Sequence, residues 1–206
     1  MTPSPAGPSL DTPADAAGDT QWAADARQSL AHTDARLGKR FEQADNVERL
    51  LGLRTRAVDQ LIIEAWRRCI PANAGLALFA VGGYGRGELF PRSDIDLLVL
   101  AESEIQQHYQ AALARLFALL WDAGLPASHA VRSASQCAQA AADQTVLTAL
   151  IEARPLVADA TAQQGLVRAI APSLVWPPRE YFLAKREELL ARHQRFGDTA
   201  DNLEPD

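Results

Sequence analysis

The sequence predicts an α/β (α+β) fold: a small mixed or antiparallel sheet flanked by helices, with a helical C-terminal segment. Three observations carry this. Two short continuous apolar runs, LALFAV (76–81) and DIDLLVL (94–100), lie mid-chain between turn residues, as buried strands do. On both flanks apolar residues recur at i, i+3, i+4, the period of core-facing helices. The 206 residues, 48% of them hydrophobic, suffice for one ordinary domain plus an appended helical segment.

The elements follow in chain order. Residues 1–20 are rich in Pro, Ala, Gly, Ser and Thr, with Pro3, Pro5, Pro8 and Pro13 set against a helix; a disordered tail is expected there. From Gln21 to Gln43 a thin stripe of Trp22, Ala26, Leu30 and Leu37 marks a polar helix that packs on something larger. Asn46 is placed to cap a stronger helix. Its stripe is Val47, Leu50, Leu51, Val58, Leu61, Ile62, Ala65, Trp66 and Cys69, closed by Pro71 and Gly75. Residues 21–70 thus form N-terminal helices, 71–170 an α/β core and 171–206 the start of a further helical region.

Within the core, strands are expected at 76–81, 94–100 and 127–132, the first two joined as an antiparallel pair or wide hairpin. One helix is expected over 104–123, its buried face made by Ile105, Tyr109, Ala112, Leu113, Leu116, Phe117 and Leu120, ended by Gly124 and Pro126. Ser133 and Gln136 have capping-box spacing. Further helices are read at 145–153 and 159–170, with a short strand end at PLVA (155–158). Residues 179–196 form a charged helix with Tyr181, Phe182, Leu189 and Leu190 turned inward, and GDTADNLEPD ends the chain as a polar, irregular stretch.

Composition removes several functional classes. A net charge of -6 argues against a protein that coats nucleic acid by bulk charge. No apolar run reaches the ~18 residues of a membrane span, and the N-terminus lacks a secretory pattern. Cys69 and Cys137 provide neither a disulfide framework nor a CxxC motif; they read as small buried hydrophobes in a reducing, cytoplasmic protein.

The chemistry concentrates in VGGYGRGELFPRSDIDLLVL (81–100). A dinucleotide fingerprint fails, because Glu88 stands at the last glycine position and the loop leads into a strand. A P-loop fails as well, because Glu88-Leu89 follows Gly87 where Lys-Ser/Thr is required. Asp94 and Asp96, two apart on a strand, share one face. Carboxylates held that close repel each other, and a divalent cation relieves the repulsion; Mg2+ favours one or two carboxylates plus phosphate oxygens. Gly82 and Gly83, lacking Cβ atoms, let a triphosphate approach the backbone N–H groups.

Gly82-Gly83, ten intervening residues and Asp94-Ile95-Asp96-Leu97 resemble the signature of the nucleotidyltransferase superfamily related to DNA polymerase β. The wider segment GGYGRGEL…SDIDLLVL is similar to the N-terminal part of the bifunctional uridylyltransferase/uridylyl-removing enzymes that modify the PII nitrogen-regulatory protein. LLWDAGLPASHAVRS, LIEARPLV and WPPREYFLAKREELLARHQRFGDTADNLEPD extend the likeness over about residues 45–206.

The resemblance implies a polymerase-β-like sheet and a reaction in which UTP and a tyrosine of PII give uridylyl-PII and pyrophosphate. It implies Asp94 and Asp96 as catalytic Mg2+ ligands and Gly82 and Gly83 as triphosphate binders. Ser93 either orients Asp94 or touches phosphate, or is a plain turn residue. Arg86 either neutralises the leaving pyrophosphate or is an exposed loop arginine. Glu88 is expected to pair with an arginine. Many members of the superfamily add a third carboxylate from a later strand; strand 127–132 has none and offers His129 instead, so that position is open. The expected partners are PII and UTP, with no nucleic acid and no membrane. Relatives of this kind continue into a phosphohydrolase domain and glutamine-sensing domains, so the chain is expected to be a truncated product or an excerpt. Another nucleotidyltransferase, such as a glutamine synthetase adenylyltransferase, and a non-catalytic nucleotide- or PII-binding module are the competing classes.

Overall fold

The computed structural model describes residues 13–171 and 175–195. In chain order the elements are α1 (Pro13–Glu42), α2 (Val47–Cys69), β1 (Ala77–Ala80), α3 (Gly82–Gly85), β2 (Ile95–Leu100), α4 (Ser103–His108) and α5 (Gln110–Asp122). There follow β3 (Ala127–Arg132), α6 (Ala134–Ala140), α7 (Gln144–Ile151), β4 (Arg154–Val157), α8 (Ala160–Ala169) and α9 (Pro178–Arg195).

The four strands form one mixed sheet in the order β3-β2-β1-β4. β1 runs antiparallel to β2 and to β4, and β2 runs parallel to β3. Helices cover both faces of β1 and β2, which is why those strands are almost wholly apolar. Leu78, Ala80, Ile95, Leu97 and Val99 point into a core shared with Trp22, Ala26, Leu30, Val58, Ile62, Trp66, Leu116 and Leu120 of α1, α2 and α5. The alternate residues Ala77, Phe79, Leu98 and Leu100 meet Cys137, Leu147, Leu150 and Leu166 of α6, α7 and α8. The two-residue period of the strands thus sorts one apolar run between two cores.

The expected caps form. The Asn46 side chain accepts from the Arg49 N–H at 2.9 Å, and Ser133 with Gln136 makes a reciprocal capping box. Gly124 takes a positive φ of 76° where the chain leaves α5, and Gly75, with φ 70°, lies in the turn between α2 and β1.

Three expectations need correction. α1 begins at Pro13, inside the stretch expected to be irregular. Proline is tolerated in a first helical turn, whose N–H groups lack intrahelical partners anyway, and Asp19 ties this end down through Arg68 and Arg115. The helix expected over 104–123 is two helices, because the backbone at Tyr109 (φ -101°, ψ 15°) leaves helical geometry. Of the four α9 residues expected inward, Tyr181 packs, bonded to Thr148 at 2.7 Å and set edge-on to Trp176. Phe182, Leu189 and Leu190, expected inward, are half or more exposed. Residues 1–12, Pro172 and the terminal GDTADNLEPD lie outside the described residues. Among the described residues no helix is long and apolar enough to cross a membrane.

Candidate active site

The end of β1 lies beside the start of its antiparallel neighbour β2, and the chemistry-bearing segment is built there. The Val81 N–H donates to Asp96 O at 3.0 Å, continuing the β1–β2 ladder by one bond. The chain then turns at once into the single helical turn α3. Gly82 makes the turn possible with φ 58°, a conformation that costs a side-chain-bearing residue about 1–2 kcal/mol. A Cβ added there would stand 3.4 Å from Asp96 Oδ2, so the bare Gly82 backbone faces that carboxylate directly. At Gly83 the nearest side-chain atom to an added Cβ would be Arg86 Nη2, 3.7 Å away. The hydrogen bonds of the turn run from Gly85 and Arg86 back to Val81 and Gly82; the leading N–H groups of such a turn take no partner from the turn itself.

Asp94 is exposed immediately before β2, and Asp96 is half-buried within it. Alternation puts both on the face that carries Leu98 and Leu100 further along the strand. Asp96 is in register with Ser128 of the parallel neighbour β3, and the Ser128 hydroxyl donates to Asp96 Oδ1. His129 is one residue further along β3 and therefore points to the opposite face. There it stacks on Phe117, with ring centroids 3.5 Å apart and planes 9° from parallel. It does not join the carboxylates. Among the described residues no group of three or more His, Cys, Asp or Glu is arranged to hold a metal. Asp94 and Asp96 are the two acidic donors that this strand end contributes, and the neighbour of Asp96 across the strands is a serine.

Arg86 leaves the end of α3 and binds two carboxylates, Glu88 and Glu152, each at 2.8 Å. The bond to Glu88 and then that to Glu152 hold its guanidinium firmly protonated. Glu88 therefore pairs with an arginine, as the sequence suggested. Ser93 is exposed, and its N–H closes a turn onto Phe90 O at 3.1 Å.

Helix α2 and strand β4 fix this loop through residues that the sequence reading passed over. The Thr55 hydroxyl donates to Gly87 O at 2.8 Å. Buried Arg54, braced by Asp34 at 2.9 Å, donates to Phe90 O at 3.0 Å and to Pro91 O at 3.3 Å. Asp59 accepts from the Tyr84 hydroxyl at 2.6 Å and from both terminal nitrogens of Arg154 at 2.9 and 3.0 Å. Arg154 also reaches Gly85 O at 3.2 Å and Tyr84 O at 3.3 Å. Burial, and after it the Asp59 charge, drives the Tyr84 hydroxyl far above the ordinary tyrosine range, so it stays a donor. A signal for these residues was present: Arg54 stands at i+4 from Leu50 and i-4 from Val58, a polar residue on a core-facing stripe.

Residues 60–137 match the nucleotidyltransferase domain family. The chain is 72% identical over 200 residues to a bifunctional uridylyltransferase/uridylyl-removing enzyme of Xanthomonas campestris pv. campestris (strain 8004), covering 95% of this chain and 23% of that protein. The enzyme of the same name from Xanthomonas axonopodis pv. citri (strain 306) is 69% identical over 201 residues, again 95% and 23% of the two chains. That from Pseudomonas entomophila (strain L48) is 45% identical over 171 residues, 82% of this chain and 19% of its own. The chain spans between about a fifth and a quarter of the length of these relatives. Residues 60–137 thus match a nucleotidyltransferase domain, and the chain is similar, over that part of their length, to the bifunctional uridylyltransferase/uridylyl-removing enzymes.

Proposed function

We propose that this chain transfers a uridylyl group from UTP to a tyrosine of the PII regulatory protein, releasing pyrophosphate. The observation that supports it best is the opposition of the Gly82 backbone and Asp96 Oδ2 across the ends of β1 and β2. A polyanion on the bare glycines would lie against the carboxylates, an arrangement that makes sense only with a cation between them. The donor set fits Mg2+: two hard carboxylate oxygens from Asp94 and Asp96, with space for phosphate oxygens and water to complete the shell. When bound, the ion neutralises charge on the α-phosphate and helps form the attacking oxyanion.

The chain's own groups do the rest. Asp94 and Asp96 hold the cation, and Asp96 is steadied by its strand neighbour. Gly82 and Gly83 leave room for the triphosphate against their backbone. Arg86 lies beside Gly83 and can exchange a carboxylate partner for the departing pyrophosphate. Ser93, next to Asp94 at the rim, is a secondary phosphate contact. The tyrosine oxygen forms a bond to the α-phosphorus, the bond to the β-phosphate oxygen breaks, and the phenolic proton passes to solvent. The relatives' names support uridylyl as the group; PII as acceptor, a cytoplasmic setting and a division into N-terminal helices, transferase core and further helical region belong to the same proposal.

The test incubates the chain with PII, Mg2+ and UTP labelled at the α-phosphate. Label on PII is expected, lost on chelation and in the doubly substituted Asp94→Asn, Asp96→Asn protein. Equal labelling from ATP would end the uridylyl assignment, and full activity of the double variant would end the site assignment.

A further inference from the structure

We propose that Ser128 is a positioning residue of the carboxylate site, and that it makes cation binding conditional on nucleotide. This rests on the nucleotidyl-transfer reading and adds an order of assembly to it. Asp96 has two oxygens with two different fates. Oδ1 accepts from Ser128 Oγ on the adjacent strand. Oδ2 faces the Gly82 backbone. The hydroxyl thereby selects which oxygen is offered to the glycine turn, and a short side chain fixed by strand register is a rigid way of doing so.

The identity of the residue matters as much as its position. Ser128 is the β3 residue whose side chain shares a face with Asp96 at the same level of the sheet. It is therefore the place from which β3 delivers a donor to this site. A carboxylate there would give three acidic ligands. Serine supplies a neutral hydroxyl that is already spent on Asp96, and His129 is turned away onto Phe117. A hard divalent cation wants about six oxygens, and Mg2+ parts with its water reluctantly. Two carboxylates, one exposed and one half-buried, hold such an ion weakly. The remaining charge has to come from phosphate oxygens lying on Gly82 and Gly83. The site should assemble with cation and nucleotide together.

Mn2+ is the probe, because its electron paramagnetic resonance signal in water disappears on binding. The whole chain is titrated with Mn2+, with and without a non-hydrolysable UTP analogue. The unaltered chain is expected to retain Mn2+ only with the analogue. Ser128→Asp is expected to retain it without any nucleotide. Ser128→Ala should weaken analogue-dependent binding by roughly 10- to 100-fold, the usual cost of removing a group that orients a metal ligand. Ser128→Thr, which keeps the hydroxyl, should restore most of it. Equal Mn2+ binding by the unaltered chain with and without the analogue overturns the conditional assembly and leaves the transferase reading standing. Ser128→Ala binding as tightly as the unaltered chain overturns the positioning role. If an ATP analogue serves as well as the UTP analogue, the Ser128 assignment is supported and the uridylyl reading falls. If Mn2+ is retained with neither, both fall.

Discussion

Arg154, the first residue of β4, lays its guanidinium along the Asp59 carboxylate in the middle of α2, with N–O separations of 2.9 and 3.0 Å. The pair joins two elements 95 residues apart in sequence and encloses α3 between them. Tyr84 of α3 hangs from the same carboxylate, and its ring lies under the guanidinium at 5.4 Å. The turn that presents Gly82 and Gly83 is thus clamped from below by a polar network.

Arg154→Met should loosen that clamp without opening the core. It removes a charge-assisted pair and two bonds to the α3 carbonyls, for an expected loss of about 2–3 kcal/mol in urea unfolding. Tyr84→Phe removes a single bond to Asp59 and should cost about 1–2 kcal/mol. Both variants should raise KM for nucleotide, because the glycine turn loses its fixed position. Unchanged stability in Arg154→Met would show that the network is ornamental.

The glycines of the loop separate by mechanism, and a set of alanine variants should show it. At Gly85 a Cβ would sit 2.2 Å from Glu152 O and 3.0 Å from Ala80 O, both backbone atoms that cannot swing aside. Gly85→Ala should cost at least about 1–3 kcal/mol by overpacking. Gly87→Ala meets open space but forces φ 79° on alanine, a strain of about 1–2 kcal/mol. Gly83 has neither problem, so Gly83→Ala should unfold within about 0.5 kcal/mol of the unaltered chain. Its defect should appear only in nucleotide affinity, where the methyl group meets the triphosphate. Gly83→Ala with normal UTP affinity would show that the phosphates lie elsewhere.

Arg86 is held by two acidic side chains, Glu88 and Glu152, in competition with any phosphate. Exposed pairs of this kind contribute about 0–1 kcal/mol, so Arg86→Ala should melt close to the unaltered chain. KM for UTP should rise roughly tenfold, the loss of one charge-assisted contact. Replacing both partners, Glu88→Gln with Glu152→Gln, should have the opposite sign, because the guanidinium is then free to meet the triphosphate. A steady-state comparison of the two variants decides the matter, and parallel changes would rule out the exchange.

The sequence carried the strands and the glycine–aspartate segment because both are local. LALFAV and DIDLLVL announce buried strands by composition, and spacing alone relates Gly82-Gly83 to Asp94 and Asp96. What joins Asp59 to Arg154, or Ser128 to Asp96, is tertiary: each pair meets only after the sheet has its order. Strand 127–132 could be read as a strand, but its one-residue register decides everything. That register puts Ser128 beside Asp96 and sends His129, the residue that draws the eye, to the far face. At α9 the failure has another cause. An apolar stripe in sequence says that a surface wants cover, and Phe182, Leu189 and Leu190 are left half or more exposed among the described residues.

Burial of the two cysteines gives a prediction with a definite sign. Cys69 and Cys137 are both free and buried, and burial lifts each thiol from 9.0 to about 11. Desolvation disfavours the thiolate, so the folded chain holds these protons more tightly than the unfolded chain does. The associated stability is fully present below pH 9 and is lost as pH climbs toward 11. About 2–3 kcal/mol per thiol is at stake. Other groups also titrate in this range, so the comparison is with the Cys69→Ala, Cys137→Ala double variant. Its unfolding free energy should fall less steeply with rising pH than that of the unaltered chain. A thiol reagent at pH 8 should modify neither cysteine until urea opens the structure, and rapid modification of the folded chain would contradict the burial from which the sign is derived.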